Sequence, residues 1–125
     1  MKFTQEIAQG SNSITAHSEQ AIAVDGVSYA DSFILLPDEI ISNWPARHFS
    51  EISIDSLKVL NDKDIEIVLL GTGAKHRIPD IKIMSYFLQN KIGCEAMTTA
   101  AACRTYNLIN QENRRVAACL LLEKN

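Results

Sequence analysis

Ile65-Glu66-Ile67-Val68-Leu69-Leu70, running into Gly71-Thr72-Gly73, is the stretch that decides the fold. Its six leading residues are almost continuously apolar and β-branched at the start, which suits a strand covered on both faces. The glycine turn leads toward a predicted helix over 80–90. There Ile81, Met84, Leu88 and Ile92 recur at i, i+3, i+7 and i+11 with Phe87 beside them, an expected core stripe. Asp80 suits the positive end of that helix and Lys91 its negative end. Gly93 is the expected left-handed C-cap. A short strand over 94–97 follows, then a helix capped by Thr98 or Thr99 and running to about Asn110. Its first turns, Ala100-Ala101-Ala102-Cys103, are small enough to let a helix backbone approach a sheet closely. Asn113 marks the exit, because asparagine tolerates the left-handed conformation better than most side chains. Val116-Ala117-Ala118-Cys119-Leu120-Leu121-Leu122 again reads as a strand buried on both faces. The order β-α-β-α-β predicts right-handed crossovers wherever neighbouring strands are parallel.

Upstream, the chain reads as β. Ser13-Ile14-Thr15-Ala16-His17 alternates weakly. Ala21-Ile22-Ala23-Val24, Asp25-Gly26 and Val27-Ser28-Tyr29 form a hairpin signal, since Asp-Gly supplies the positive φ angles of a two-residue type I′ turn. Ser32-Phe33-Ile34-Leu35-Leu36 is a further strand stopped by Pro37, which lacks the N–H of a ladder residue. Residues 40–49 read as irregular, with Trp44-Pro45 holding Trp44 extended. A short helix capped by Ser53 is expected over 53–60. The predicted fold class is therefore α/β: a three-layer single domain over residues 1–125 with a mixed central sheet, an N-terminal β-hairpin region and then β-α-β-α-β. Residues 1–12 are expected to be loosely ordered.

Composition narrows the function classes. The 125 residues suffice for one domain and its own core, since a chain of this size buries roughly two-thirds of its unfolded surface. A net charge of −3 argues against nucleic acid as a main partner, which calls for a strongly basic face. Three cysteines, Cys94, Cys103 and Cys119, form no C-x-x-C pair and read as buried, reduced thiols. Met1-Lys2-Phe3-Thr4-Gln5-Glu6 resembles neither a secretory signal nor an organelle presequence. No stretch reaches the ~20 apolar residues of a membrane span. These features point to a cytoplasmic protein.

Gly71-Thr72-Gly73, Arg77, Pro79, Gly93, Met97-Thr98, Ala101-Ala102-Cys103-Arg104-Thr105-Tyr106-Asn107 and Glu112-Asn113-Arg114-Arg115-Val116-Ala117 together resemble an uncharacterised-domain family. That family includes mitochondrial complex I assembly factor 3 and many bacterial proteins without assigned activity. Asp25-Gly26, Leu36-Pro37 and Trp44 fit its first half, so the resemblance runs from Ile14 to Leu122. It implies a compact three-layer α/β domain with a mixed sheet and no cofactor. For the mitochondrial relatives it implies a protein–protein role in assembling the respiratory NADH dehydrogenase. Asn113 departs from the family's common glycine, but both residues tolerate positive φ. The missing presequence departs from the mitochondrial members and favours a bacterial cytoplasm.

The candidate ligand-binding residues are Gly71, Thr72, Gly73, Lys75, Arg77, Asn107 and Arg114. In open α/β sheets ligands favour the carboxyl ends of strands, where backbone N–H groups can cradle an anion. Lys75-His76-Arg77 would add charge there. Yet the glycines lack the third member of a dinucleotide fingerprint and the Gly-Lys-Ser/Thr of a P-loop, so a plain turn is the competing reading. Asn107 either satisfies a neighbouring loop or lines a pocket with the glycine turn. Arg114 and Arg115 should diverge by strand alternation, one of them pairing with Glu112. Cys103 near a helix start could be a nucleophile, but packing is the simpler role. No catalytic residue, metal site or cofactor is assigned, because His17, His48 and His76 show no ligand spacing. Two expectations remain. The leading one is a non-enzymatic interaction module with a protein partner, contacting it through Trp44, Phe49 or Phe33. The other is a small-molecule or anion-binding protein, or weak enzyme, using the 71–77 loop. Oligomeric state stays open, a homo-oligomer included.

Overall fold

A computed structural model describes residues 11–124. The expectation of loose order over 1–12 falls almost wholly outside them. Of that stretch, Ser11 and Asn12 are described: the Ser11 hydroxyl donates to Asn110 Oδ1 at 3.3 Å and the Asn12 N–H to the Pro37 carbonyl at 2.8 Å.

The upstream strands are β1 (Ile14–His17), β2 (Ile22–Val24) and β3 (Val27–Tyr29), a small antiparallel sheet in the order β1-β2-β3. Asp25 and Gly26 take φ 49° and 85°, the pair of positive angles that the hairpin turn requires. The main sheet contains β4 (Phe33–Leu36), β5 (Glu39–Ile41), β6 (Ile67–Gly71), β7 (Gly93–Met97) and β8 (Val116–Leu120). Its order is β5-β4-β8-β6-β7. β6 runs parallel to β7 and β8, while β4 is antiparallel to β5 and β8. The sheet is mixed, as the sequence predicts. β5 overlaps the stretch read as irregular at Ile40 and Ile41, so that reading is corrected for those two residues. Three residues pairing Ile34 with Ile41 around the Pro37 turn carry too little pattern to announce a strand.

Alternation along β4, β6 and β8 divides the core in two. Ile34, Leu36, Val68, Leu70, Ala117 and Cys119 join one cluster. Phe33, Leu35, Leu69, Val116, Ala118 and Leu120 join the other. Helix α1 (Ile81–Gln89) contributes Ile83 and Phe87 to the first, together with Leu57 and Leu60 from a 3-10 turn over Asp55–Leu60. Helix α2 (Thr99–Gln111) contributes Ala102, Cys103 and Tyr106 to the second, together with Ile14, Ile22 and Val24 of the small sheet.

Several local expectations are corrected. The inward stripe of α1 is Ile83 and Phe87, whereas Ile81 and Leu88 are 76% and 75% exposed. The left-handed residue after α1 is Lys91, at φ 62°, and Gly93 opens β7 instead. Lys91 N–H bonds the Leu88 carbonyl and Ile92 N–H the Phe87 carbonyl, both at 2.9 Å, a complete Schellman closure built on a lysine. Asn113, at φ 62°, closes α2 in the same way as expected. The segment expected as a helix from Ser53 is the tighter 3-10 turn, and Ser53 and Ser56 exchange side-chain bonds at its entrance. Phe33 and Trp44, offered as partner contacts, are core residues; the Trp44 indole donates to the Ser56 carbonyl at 2.9 Å.

Candidate functional site

The carboxyl ends of parallel β6 and β8 meet the N-terminus of α2. The glycine turn sits at this junction, and its hydroxyls and its arginine are engaged by the chain itself. Gly71 is buried, and a Cβ there would lie 3.0 Å from the Thr99 Cα and Oγ1, which leaves room only for glycine. Thr72 is fully buried. Its hydroxyl donates to the Lys75 carbonyl at 2.7 Å and accepts from the Arg77 N–H at 3.2 Å, so it folds the 71–77 loop onto itself. Gly73, at φ 96°, donates its N–H to the Thr99 hydroxyl at 2.9 Å. That hydroxyl in turn donates to the Leu121 carbonyl at 2.7 Å. Thr98 caps α2 by accepting from the Ala101 N–H.

The anion at this turn is internal. Glu123 Oε2 accepts from the Arg77 guanidinium at 3.1 Å and from the Phe49 N–H at 3.1 Å. A Cβ on Gly73 would collide with the same carboxylate. The Arg77 guanidinium also lies 5.6 Å from the Phe49 ring centre, a cation–π contact. Lys75 is exposed beside it. A cavity of about 240 Å³ remains next to the turn, lined by Gly73, Ala74, Thr98, Ala100, His17 and Glu123 among others. Two of the acids flanking it, Glu19 and Glu123, oppose a second anion.

The remaining candidates lie elsewhere. Asn107 projects from the middle of α2 to β1, where its amide accepts from the Ile14 N–H at 2.9 Å and donates to the Ile14 carbonyl at 2.8 Å. It does what a missing ladder strand would do, and it does not reach the glycine turn. Arg114 precedes β8, whose parallel register places Val116 beside Ile67 and Leu120 beside Gly71. It therefore sits at the opposite end of the sheet from the glycines. There both Arg114 and Arg115 reach Glu66, at 3.9 and 3.6 Å, and Arg115 also pairs with Asp64 at 3.1 Å. The expected divergence of the two arginines, with Glu112 as partner, is corrected: both lie between the helix-ending turn and the first residue of β8, outside the regular strand whose alternation the expectation used. The Arg115 N–H donated to Glu66 holds that carboxyl below the usual carboxylate range. Thr99 and Glu123 were absent from the sequence candidates. Thr99 carried a capping signal, but nothing near Glu123 marked it.

Cys103 is buried, and burial pushes its thiol up to about 12. Half-buried Cys94 is likewise pushed up to about 12, and burial pushes Cys119 up as well. A thiol, not a thiolate, is the form near neutral pH, which suits packing and removes the nucleophile reading. Iodoacetamide at pH 8 should therefore label native protein slowly at all three positions and rapidly after unfolding in urea. Fast native labelling at Cys103, followed by peptide mass spectrometry, would restore the nucleophile.

Comparison with known proteins agrees with this architecture. The NADH dehydrogenase [ubiquinone] 1 alpha subcomplex assembly factor 3 of Danio rerio is 29% identical over 97% of this chain and 70% of its own length. The assembly factor of the same name from Xenopus tropicalis is 28% identical over 86% of this chain. This chain spans only 60% of that relative's length. A crystal structure of a Bordetella parapertussis protein superposes with a TM-score of 0.84 at 31% identity, covering 90% of this chain and 96% of that one. Residues 14–121 match the family described as "Protein of unknown function (DUF498/DUF598)", and the chain belongs to that family.

Proposed function

We propose that the chain, acting as one domain over residues 1–125 in the cytoplasm, is a non-enzymatic protein-interaction module with an assembly role. One observation carries this reading: the strand-end crevice, where an α/β domain usually places its chemistry, has its hydroxyls and its arginine committed to internal bonds. Thr72 closes the loop, Thr99 ties Gly73 to Leu121, and Arg77 is held by Glu123. Among the described residues no hydroxyl there hydrogen-bonds a histidine or carboxylate, as an activated nucleophile would. The names of the vertebrate relatives support an assembly role. The competing reading, a ligand held by Gly71, Thr72, Gly73, Lys75, Arg77, Asn107 and Arg114, loses Asn107 to Ile14 and Arg114 to Glu66. Among the described residues no helix is long and apolar enough to cross a membrane.

The test is affinity purification of tagged protein from native extract at low salt. A stoichiometric protein partner is the expected result. Recovery of the chain alone, together with thermal stabilisation by phosphate that Arg77→Ala abolishes, would overturn the proposal in favour of an anion-binding protein.

A further inference from the structure

The two edges of the main sheet are finished differently. β5 has three residues, and Glu39 at its start is tied to Lys63 at 2.8 Å. β7 runs five residues in unbroken parallel register against β6, and among the described residues no strand pairs with its other side. The Gly93 N–H is used by the Glu66 carbonyl and the Met97 carbonyl by the Thr72 N–H. Alternation therefore turns the N–H and C=O groups of Cys94 and Ala96 outward. Proteins blunt such edges with proline, charged side chains (lysine above all), bulges or short length. Gly93-Cys94-Glu95-Ala96-Met97 contains no proline or lysine and no break in register, and Glu95 is its one charged residue. Gly93 is informative because the chain's own fold does not require it. Its φ is not positive, and a Cβ would meet the Ile67 Cγ1 at 3.6 Å, the Glu66 carbonyl oxygen at 3.7 Å and the Ile67 Cβ at 3.8 Å, all ordinary contacts. A bare strand residue of this kind suits close approach by another backbone.

The surface beside the edge is apolar. α1 packs on β7 with Ile83 and Phe87 pointing into the core. Tyr86 hydrogen-bonds Asn61 on one flank of the helix. The flank turned away from Asn61 carries Met84, Leu88 and Ile81, the last two largely exposed. Cys94 and Ala96 lie on the same face of the sheet as α1.

We propose that the β7 edge is a strand-addition site whose occupant is an extended segment of a protein partner, with apolar residues alternating with basic ones. This rests on the interaction-module reading and locates the contact. Side chains of an added strand alternate between faces. Those on the α1 face meet Cys94, Ala96, Met84 and Leu88, with no charge among them. Those on the other face meet Glu95, which is exposed and forms no ion pair among the described residues. A basic residue across from Glu95 completes that pairing, and the chain's net charge of −3 favours a basic segment's approach. Charge also disfavours a second copy as occupant. Antiparallel pairing with the fullest overlap, centred on Glu95, sets that carboxylate opposite its own duplicate.

The test titrates ¹⁵N-labelled full chain with an acetylated peptide alternating valine and lysine, and with its valine–glutamate counterpart. The valine–lysine peptide is expected to shift the Cys94 and Ala96 amides and to bind at least about fivefold tighter than the glutamate peptide. Glu95→Lys should reverse that preference. Ala96→Pro should abolish binding while sparing the β6–β7 ladder, because the Ala96 N–H faces outward. Binding elsewhere, equal affinities, no binding of the valine–lysine peptide, or an edge-dependent dimer of the parent in sedimentation would each overturn the proposal. A native partner captured equally by the parent and by a folded Ala96→Pro variant would leave the interaction module standing and remove this edge from it.

Discussion

Replacing Phe87 with alanine should lower unfolding free energy by about 3–5 kcal/mol, while Leu88→Ala, one position later, should fall within about 0.5 kcal/mol of the parent. Phe87 is 1% exposed and packs in the cluster that includes Ile83, Val68, Leu70 and Cys119. Its ring meets Tyr86 edge-on at 5.4 Å. Removing it leaves a void bounded on one side by the sheet, which cannot relax without disturbing β6. Leu88 points into solvent, so its truncation removes little buried area. Urea denaturation of both variants decides the matter, because the sequence stripe counts Leu88 as core with Phe87 beside it and predicts comparable losses, whereas the structure predicts a large gap. Equal losses would mean that α1 is rotated relative to this account, and that the apolar flank beside β7 is core.

This contrast explains how much of the fold was legible. α1 has a broad apolar arc facing a polar strip of Lys82, Ser85 and Gln89: Ile81, Ile83, Met84, Phe87 and Leu88 admit two stripes of helical spacing, and periodicity cannot say which one faces inward. The choice is made by tertiary packing over β7. The buried strands were legible because β6 and β8 lie between two layers and can carry unbroken apolar runs. Asp25-Gly26 and Asn113 were legible because positive φ is confined to few residue types. Lys91 was not, since its left-handed turn is enforced by Ile92 packing against the core rather than by its own preference. The candidate site was legible as a place but not as a set. The glycine turn followed from strand–turn–helix order, yet Glu123 lies 46 residues from the arginine it holds. Placing Arg114 required knowing that β8 runs parallel to β6, so that the start of one strand and the end of the other lie at opposite ends of the sheet.

Gly71→Ala should destabilise the protein by about 1–3 kcal/mol, and Gly71→Val by more. The new Cβ would sit 3.0 Å from the Thr99 Cα and Oγ1 and 3.2 Å from the Cys119 carbonyl oxygen. Two of these three atoms are backbone, one in β8 and one at the first residue of α2, so neither can swing aside as a side-chain tip could. Relief requires α2 to lift from the sheet. That movement would pull the Thr99 hydroxyl away from the Gly73 N–H and the Leu121 carbonyl, both buried bonds. Leaving such groups unpaired costs about 1–3 kcal/mol each, so valine, which forces the larger displacement, should add that loss to the steric one. Amide exchange at Gly73 should quicken in both variants. Gly93→Ala is the matched control: it too is a glycine of a parallel strand, but its Cβ meets Ile67 at an ordinary distance and should change unfolding free energy little. If Gly71→Ala and Gly93→Ala melted alike, the close approach of α2 to the end of β6 would be wrong, and with it the claim that this crevice is closed by the chain's own groups.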